Sequence, residues 1–254
     1  MINLSGQPGF KPVAIYPVRL GYEGYFPQFI LQAGVTANTF DRLPSAVGAD
    51  ASLSIPVKPG LFIGGRIERT PMKYAPSVLE TPEKTTFTSY GPNLYWQVDS
   101  KTTLTSFFNF IQYNDGNRSQ LSYSKLKRDI GAGFSVAANL VTSSFERDAS
   151  LTSGYFSPPD FLIYNGEIGW QGDITKNINF RVQFNLGEQR LQGEYSTAFY
   201  TEAQLTAKVS QNLDGFLKFS YGELDQVTYY RQRGLTGNNL YNLSVLTGQI
   251  RYTF

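Results

Sequence analysis

The chain has 254 residues, rich in Tyr (17), Phe (19) and Gly (24), with no Cys and no His. Without Cys there is no disulfide framework and no thiolate metal site; without His the commonest metal ligand and the commonest general base near neutral pH are gone, which excludes most metalloenzymes and every His-based triad. A net charge of +2 gives no electrostatic case for nucleic acid, and the small basic cluster Lys125-Leu126-Lys127-Arg128 reads as a solvated strand end or loop.

The first residues, Met1-Ile2-Asn3-Leu4-Ser5-Gly6-Gln7, contain neither a basic n-region nor an apolar h-region, so they are not a signal peptide. The expectation is that an export signal has been removed, or that the chain is the C-terminal part of a longer one. Residues 1–27 are expected to be a periplasmic lead-in or to supply extra strands, and residues 28–254 a transmembrane β-barrel. Eleven of the 13 prolines fall at or before Pro92. Pro56 and Pro92 lie at or inside expected strands, where proline removes a ladder donor.

From residue 28 onward the hydrophobic period is two. Tyr, Phe, Thr and Val favour strands. The expected strands are 28–37, 48–57, 60–70, 86–98, 102–113, 120–137, 140–148, 161–174, 177–188, 197–210, 214–223 and 240–254. In 60–70, Leu61, Ile63 and Ile67 oppose Arg66 and Glu68. In 161–174, Tyr164, Ile168, Trp170 and Ile174 oppose Asn165, Glu167, Gln171 and Asp173. In 177–188, Ile178, Phe180, Val182, Phe184 and Leu186 oppose Asn179, Arg181, Gln183 and Asn185. In 197–210, Phe199, Ala203, Leu205 and Ala207 oppose Tyr200, Glu202, Gln204, Thr206 and Lys208. Each such strand has one apolar and one polar face. The apolar face is less regular in 120–148.

Short turns are expected at Val57-Lys58-Pro59-Gly60, Asp99-Ser100-Lys101, Ala138-Asn139, Thr175-Lys176-Asn177 and Asn212-Leu213-Asp214-Gly215. Longer polar stretches lie near 70–86, 114–120, 147–160, 188–197 and 223–239. Short and long connections alternate, as they do between the periplasmic and extracellular rims of an outer-membrane barrel. The fold expected is an all-β, antiparallel up-and-down barrel of about twelve strands, with fourteen to sixteen as the alternative.

Alternation alone does not separate a membrane barrel from a soluble β-sandwich. No apolar run approaches the ~18 residues of a membrane helix, and a mean hydropathy of −0.26 suits both folds. Three features favour the barrel. The last strand carries Gly248, Ile250, Tyr252 and Phe254 on one face and stops on an aromatic, as an assembly signal read by the barrel-assembly machinery does. Trp96 and Trp170 fall on apolar faces shortly before short turns, where an interfacial girdle sits. Charged residues alternate with apolar ones deep inside strands: Arg66, Glu68, Glu167, Asp173, Arg181, Glu202, Lys208 and Arg251 are the candidates for a polar lumen.

Gly154-Tyr155-Phe156-Ser157-Pro158, the following strand with Tyr164-Asn165-Gly166-Glu167, and the terminal strand resemble the C-terminal barrel of outer-membrane exopolysaccharide exporters of the cellulose-synthase type. Members of that family carry a tetratricopeptide-repeat (TPR) region before the barrel. No helical repeat stands in this sequence, and the chain is short for a sixteen-stranded member. The resemblance implies a channel for a secreted polysaccharide in the bacterial outer membrane.

The leading functional expectation is therefore an outer-membrane pore or export channel. Its partners would be outer-membrane lipid and the barrel-assembly machinery, with polysaccharide as candidate cargo and no nucleic acid. No cofactor and no enzymatic activity are expected. A non-conducting anchor barrel and a soluble β-sandwich binding module are the alternatives. A carboxylate-pair glycoside hydrolase has no spacing to support it.

Overall fold

Ile178, Phe180, Val182, Phe184 and Leu186 recur at every second residue, and strand geometry puts them on one face. The neighbouring strand repeats the design in register: Ile178 lies opposite Ala207, Val182 opposite Ala203 and Leu186 opposite Phe199. The same rule generates the whole fold. In the computed structural model, which describes residues 2–4, 11, 13–72, 79, 85–149, 155–224 and 241–252, fourteen antiparallel strands form one sheet closed into a barrel. In chain order they are β1 (Ile2–Leu4), β2 (Val13–Tyr25), β3 (Ile30–Phe40), β4 (Ala46–Lys58), β5 (Leu61–Pro71), β6 (Thr86–Gln97), β7 (Thr102–Tyr113), β8 (Arg118–Gly131), β9 (Phe134–Phe145), β10 (Phe161–Thr175), β11 (Ile178–Leu191), β12 (Glu194–Lys208), β13 (Leu213–Leu224) and β14 (Tyr241–Tyr252). Every strand pairs with its sequence neighbours, and β1 also pairs with β14.

The count is fourteen, the lower end of the expected alternative to twelve, because residues 2–4 and 13–25 join the sheet. Pro17 masks β2 in the sequence. It is tolerated because β1 reaches only Val13, Ala14 and Ile15, so from Tyr16 onward β2 pairs with β3 alone among the described residues. Pro92 is accommodated by an interruption. The β6–β7 ladder steps from Tyr90–Phe110 to Asn93–Phe107 and skips Gly91 and Pro92. At Gly91 the backbone passes so close to the Phe108 carbonyl that no side chain fits.

Two further expectations are corrected. Ala138-Asn139 is not a turn; it lies inside β9, and the turn is Ala132-Gly133, whose φ angles of 50° and 81° suit a primed hairpin. Residues 188–197 are not a long loop. Strands β11 and β12 run on to a two-residue turn at Gln192-Gly193, φ 52° and 88°. The expected 223–239 stretch lies largely outside the described residues.

All connections on one rim are short: 26–29, 59–60, 98–101, 132–133, 176–177 and 209–212. The other rim carries the longer connections 72–85 and 146–160 together with short ones at 41–45, 114–117 and 192–193. Strand β14 runs toward the short-turn rim.

Side-chain contacts identify the concave face. Lys125 on β8 reaches Glu167 on β10, over β9; Arg19 on β2 reaches Asp50 on β4, over β3. Side chains converge enough to bridge an intervening strand only on the inside of a curved sheet. The outer face is apolar and bare. Leu20 is 76% exposed, Ile168 62% and Ile250 80%, with Val18, Val47, Ile67, Leu186 and Leu217 among the others. A continuous apolar band on the outside of a closed barrel fits lipid, not water. Its irregular stretch is β8, where Gln120, Ser122 and Ser124 face outward. These hydroxyls satisfy one another across the sheet: Ser106 with Ser124 at 2.8 Å, Ser122 with Thr142 at 2.7 Å. No orphan serine hydroxyl is thus presented to lipid there.

Ile168 sits midway along β10 on that outer face. Ile168→Arg is expected to destabilise the barrel by about 2–4 kcal/mol, while Ile168→Val changes little. Guanidinium unfolding in lipid vesicles measures the difference.

Candidate functional site: the lumen

Arg66, Glu68, Glu167, Asp173, Arg181, Glu202, Lys208 and Arg251 all occupy register positions on the inner face. Asp50 lies opposite Glu68, Glu167 opposite Asn185, Gln183 opposite Glu202, and Asp214 opposite both Lys208 and Arg251. Most of the inner charges cancel in pairs. Lys125 Nζ donates to both Glu167 oxygens at 2.6 and 2.7 Å, and Glu167 is only 6% exposed. Arg19–Asp50 closes at 2.9 Å, Arg66–Glu68 at 3.0 Å, Lys127–Asp129 at 2.9 Å, Lys218–Glu202 at 3.3 Å and Arg251–Asp214 at 2.6 Å. Arg19 can cross β3 because Gly21 and Gly34, paired with each other, leave room beneath its guanidinium.

Beside the Lys125–Glu167 pair lies an amide network that the sequence does not announce. Asn139 Nδ2 donates to Asn165 Oδ1 at 2.8 Å and to Asn185 Oδ1 at 3.1 Å, and Asn139 Oδ1 accepts from the Tyr123 hydroxyl at 3.2 Å. Asn139 and Asn185 are both buried. The available signal is an asparagine in mid-strand, and its turn chemistry points the sequence reading elsewhere. Next to this network the inner wall of β5–β8 carries aromatics in cross-strand pairs, Phe62 with Tyr95 and Phe107 with Tyr123, ring centroids 6.3 and 5.4 Å apart.

Toward the long-loop rim the inner face turns apolar. Val13, Ile15 and Phe40 cluster with Leu79 of the 72–85 connection; Met72 and Tyr113 cluster with Ala149 and Tyr155 of the 146–160 connection; Phe161 and Leu191 pack with Phe156. The described residues of these two connections therefore fold inward over the mouth. Tyr155 pins one of them. It stacks on Tyr113 (5.1 Å), donates to Asp115 Oδ2 (3.0 Å) and accepts from Asn117 Nδ2 (3.0 Å). Burial, then the nearby Asp115 carboxylate, pushes its phenol above the usual tyrosine range, against the lowering effect of Asn117.

Trp96 and Trp170 both lie on the outer face toward the short-turn rim. Lys58 Nζ sits 5.2 Å from the Trp96 ring centre, and Trp170 lies 6.2 Å from Phe180. A second aromatic group faces outward nearer the long-loop rim, with Tyr90 against Phe110 (5.8 Å) and Phe184 against Phe199 (5.0 Å). Tyr164 there donates to Glu188. Of the terminal residues, Gly248 and Ile250 are on the outer face of β14. Tyr252 pairs with Leu213 through its backbone, and Phe254 lies outside the described residues.

No protein-family model matches the sequence, and no curated protein matches it. Solved structures do. A bacterial polysaccharide outer membrane secretin superposes with a TM-score of 0.68 at 12% identity, covering 96% of this chain and 81% of that one. CymD, a monoaromatic hydrocarbon channel, gives 0.53 at 11% identity, covering 95% and 86%. The fold is that of an outer-membrane β-barrel, and the exposed apolar band belongs in that membrane.

Two expectations follow for the lumen. Lys125→Met strands the buried Glu167 carboxylate and is expected to cost about 3–5 kcal/mol, most of it regained in Lys125→Met/Glu167→Leu; guanidinium unfolding in detergent measures both. Tyr155→Phe keeps the stacking but loses the phenol's bonds. Trypsin cleavage after Arg147 should rise on the order of tenfold, equivalent to ~1.4 kcal/mol. Because the folded phenol holds its proton more tightly, the anchor is at full strength below an ordinary tyrosine pKa of about 10 and is lost as pH rises through the higher folded value. Cleavage of the wild type should therefore accelerate only at strongly alkaline pH.

Proposed function

We propose that the chain is an outer-membrane pore for polar solutes of little net charge, and that a glycan chain is the cargo its lumen suits. The observation that carries this is the inner wall. Its charges are neutralised mostly in pairs, and between them stand amides and aromatic faces. A wall of this kind has no strong field to attract or repel an ion. It offers donors, acceptors and stacking surfaces to a polyhydroxylated chain. Barrel width also supports the reading: eight strands give an interior filled by side chains, and sixteen to eighteen an aqueous channel. Fourteen strands lie toward the wider end.

The Gly154–Pro158 loop, similar to that of exopolysaccharide exporters of the cellulose-synthase type, agrees with an exported polysaccharide as cargo, as does the fold's likeness to a polysaccharide secretin. We read no catalytic role in the lumen. The terminal strand, with Gly248, Ile250, Tyr252 and Phe254 at alternate positions, is the segment we assign to recognition by the barrel-assembly machinery.

A second reading is a non-conducting anchor barrel, favoured by the inward packing of Leu79 and Tyr155 at the mouth. Planar-bilayer recording separates the two. The pore should give steady conductance with potassium and chloride permeabilities within about twofold of each other, as a wall of neutralised charges requires. Conductance that stays at zero, also after shortening of the 146–160 connection, would sink the pore and leave the anchor.

A further inference from the structure

Among the described residues six ion pairs neutralise the inner wall, but one opposite-charge couple on it is not joined. Asp173 on β10 and Arg181 on β11 are diagonal neighbours: Gln171 lies directly opposite Arg181, and Asp173 opposite Asn179. Among the described residues no ion pair connects them. Asp173 Oδ1 instead accepts from Asn179 Nδ2 at 3.0 Å, and an Arg181 terminal nitrogen donates to Gln183 Oε1 at 2.8 Å. Each contact uses one position of a group with several: a carboxylate accepts at two oxygens, and a guanidinium carries five N–H donors. Both side chains line a cavity of about 380 Å³ near the short-turn rim, together with Ser135, Gln171, Asn179 and the buried Glu167. Lys127 lines it too, and its ammonium is engaged by Asp129. That volume is at the low end of small-molecule sites. The inner-face side chains lining it are all polar.

We propose that this cavity is a binding subsite for the vicinal hydroxyls of an uncharged sugar unit. The chemistry fits side by side. The two oxygens of Asp173 accept from two adjacent hydroxyls, as a carboxylate accepts a forked donor pair. The Arg181 fork donates to hydroxyl or ring oxygens one sugar edge away, the Gln171 amide supplies a donor and an acceptor, and Asn179, whose two N–H bonds go to the Gly172 carbonyl and to Asp173, supplies an acceptor. Such a site favours a hydroxylated edge over an apolar solute, which would leave these groups unpaired. It gives an anionic sugar no advantage, because Asp173 and Glu167 face it together with Arg181 and Lys127 and no net charge results. The assignment rests on the glycan-pore reading above and adds to it a place where the chain pauses.

The protein, folded in detergent, is titrated with maltohexaose and followed by isothermal titration calorimetry. A saturable change is expected. Asp173→Asn and Arg181→Gln should each weaken it at least tenfold while keeping the heat-dependent gel mobility of a closed barrel. Should either variant fail to fold, Gln171→Ala is expected to weaken binding in its place. Oligogalacturonate of equal length should bind no more tightly than maltohexaose. Absence of a saturable change with both maltohexaose and cellohexaose, unaltered affinity in folded variants, or tighter binding of the anionic chain would each overturn the proposal. The titration needs no conduction. A barrel that conducts without binding loses only the subsite, and one that binds without conducting loses only the open pore.

Discussion

Inside a bilayer no water is available to satisfy a peptide group, and each unpaired N–H or C=O costs several kcal/mol. That constraint decides most of this molecule. A sheet can meet it only by having no edge, so fourteen strands close on themselves, with β1 joining β14 to β2. Closure in turn gives every strand an inside and an outside, and the two-residue period assigns each side chain to one of them. The prolines follow the same rule. Pro92 stands where the ladder to β7 is already interrupted, and Pro17 where β2 has one described neighbour instead of two.

The inner wall follows from curvature. Side chains on the concave face crowd together, so a charge there meets a partner two strands away as readily as one next door. Lys125 with Glu167 and Arg19 with Asp50 are both of this kind. Burial makes an unpaired charge costly, and the same crowding supplies the partner that removes the cost. The outer wall has no such convergence. There the serines of β8 settle their hydrogen bonds with immediate neighbours on β7 and β9, at 2.7 to 2.8 Å.

Much of this was legible in the residues. Strand alternation from Leu61 to Glu68 and from Phe161 to Lys208 predicted which side chains share a face, and the eight charged candidates fall at inner-face positions because period two leaves no other choice. What was illegible had physical causes. Polar side chains on both faces of β8 erase the alternation, which displaces the expected turn to Ala138-Asn139. Asn139 has turn chemistry, yet its amide is spent on Asn165, Asn185 and Tyr123, residues far away in sequence. Glu188 and Arg190 read as loop because they are charged. They extend β11 instead, and bond to Tyr164 and Asp160. The cavity between Asp173 and Arg181 depends on diagonal register, which no single strand encodes.

The paired charges of the lumen carry one more consequence. A pore with a fixed excess charge gathers counter-ions and holds a solution unlike the one outside it. Where most of the lysines and arginines answer a carboxylate at about 3 Å, little excess remains to be answered from solution. The water inside this barrel then has nearly the salt composition of the water at its ends. The uncharged glycan chain proposed as cargo would displace solvent and few bound ions on threading it, and its passage would be opposed mainly by hydrogen bonds exchanged one for one along the wall.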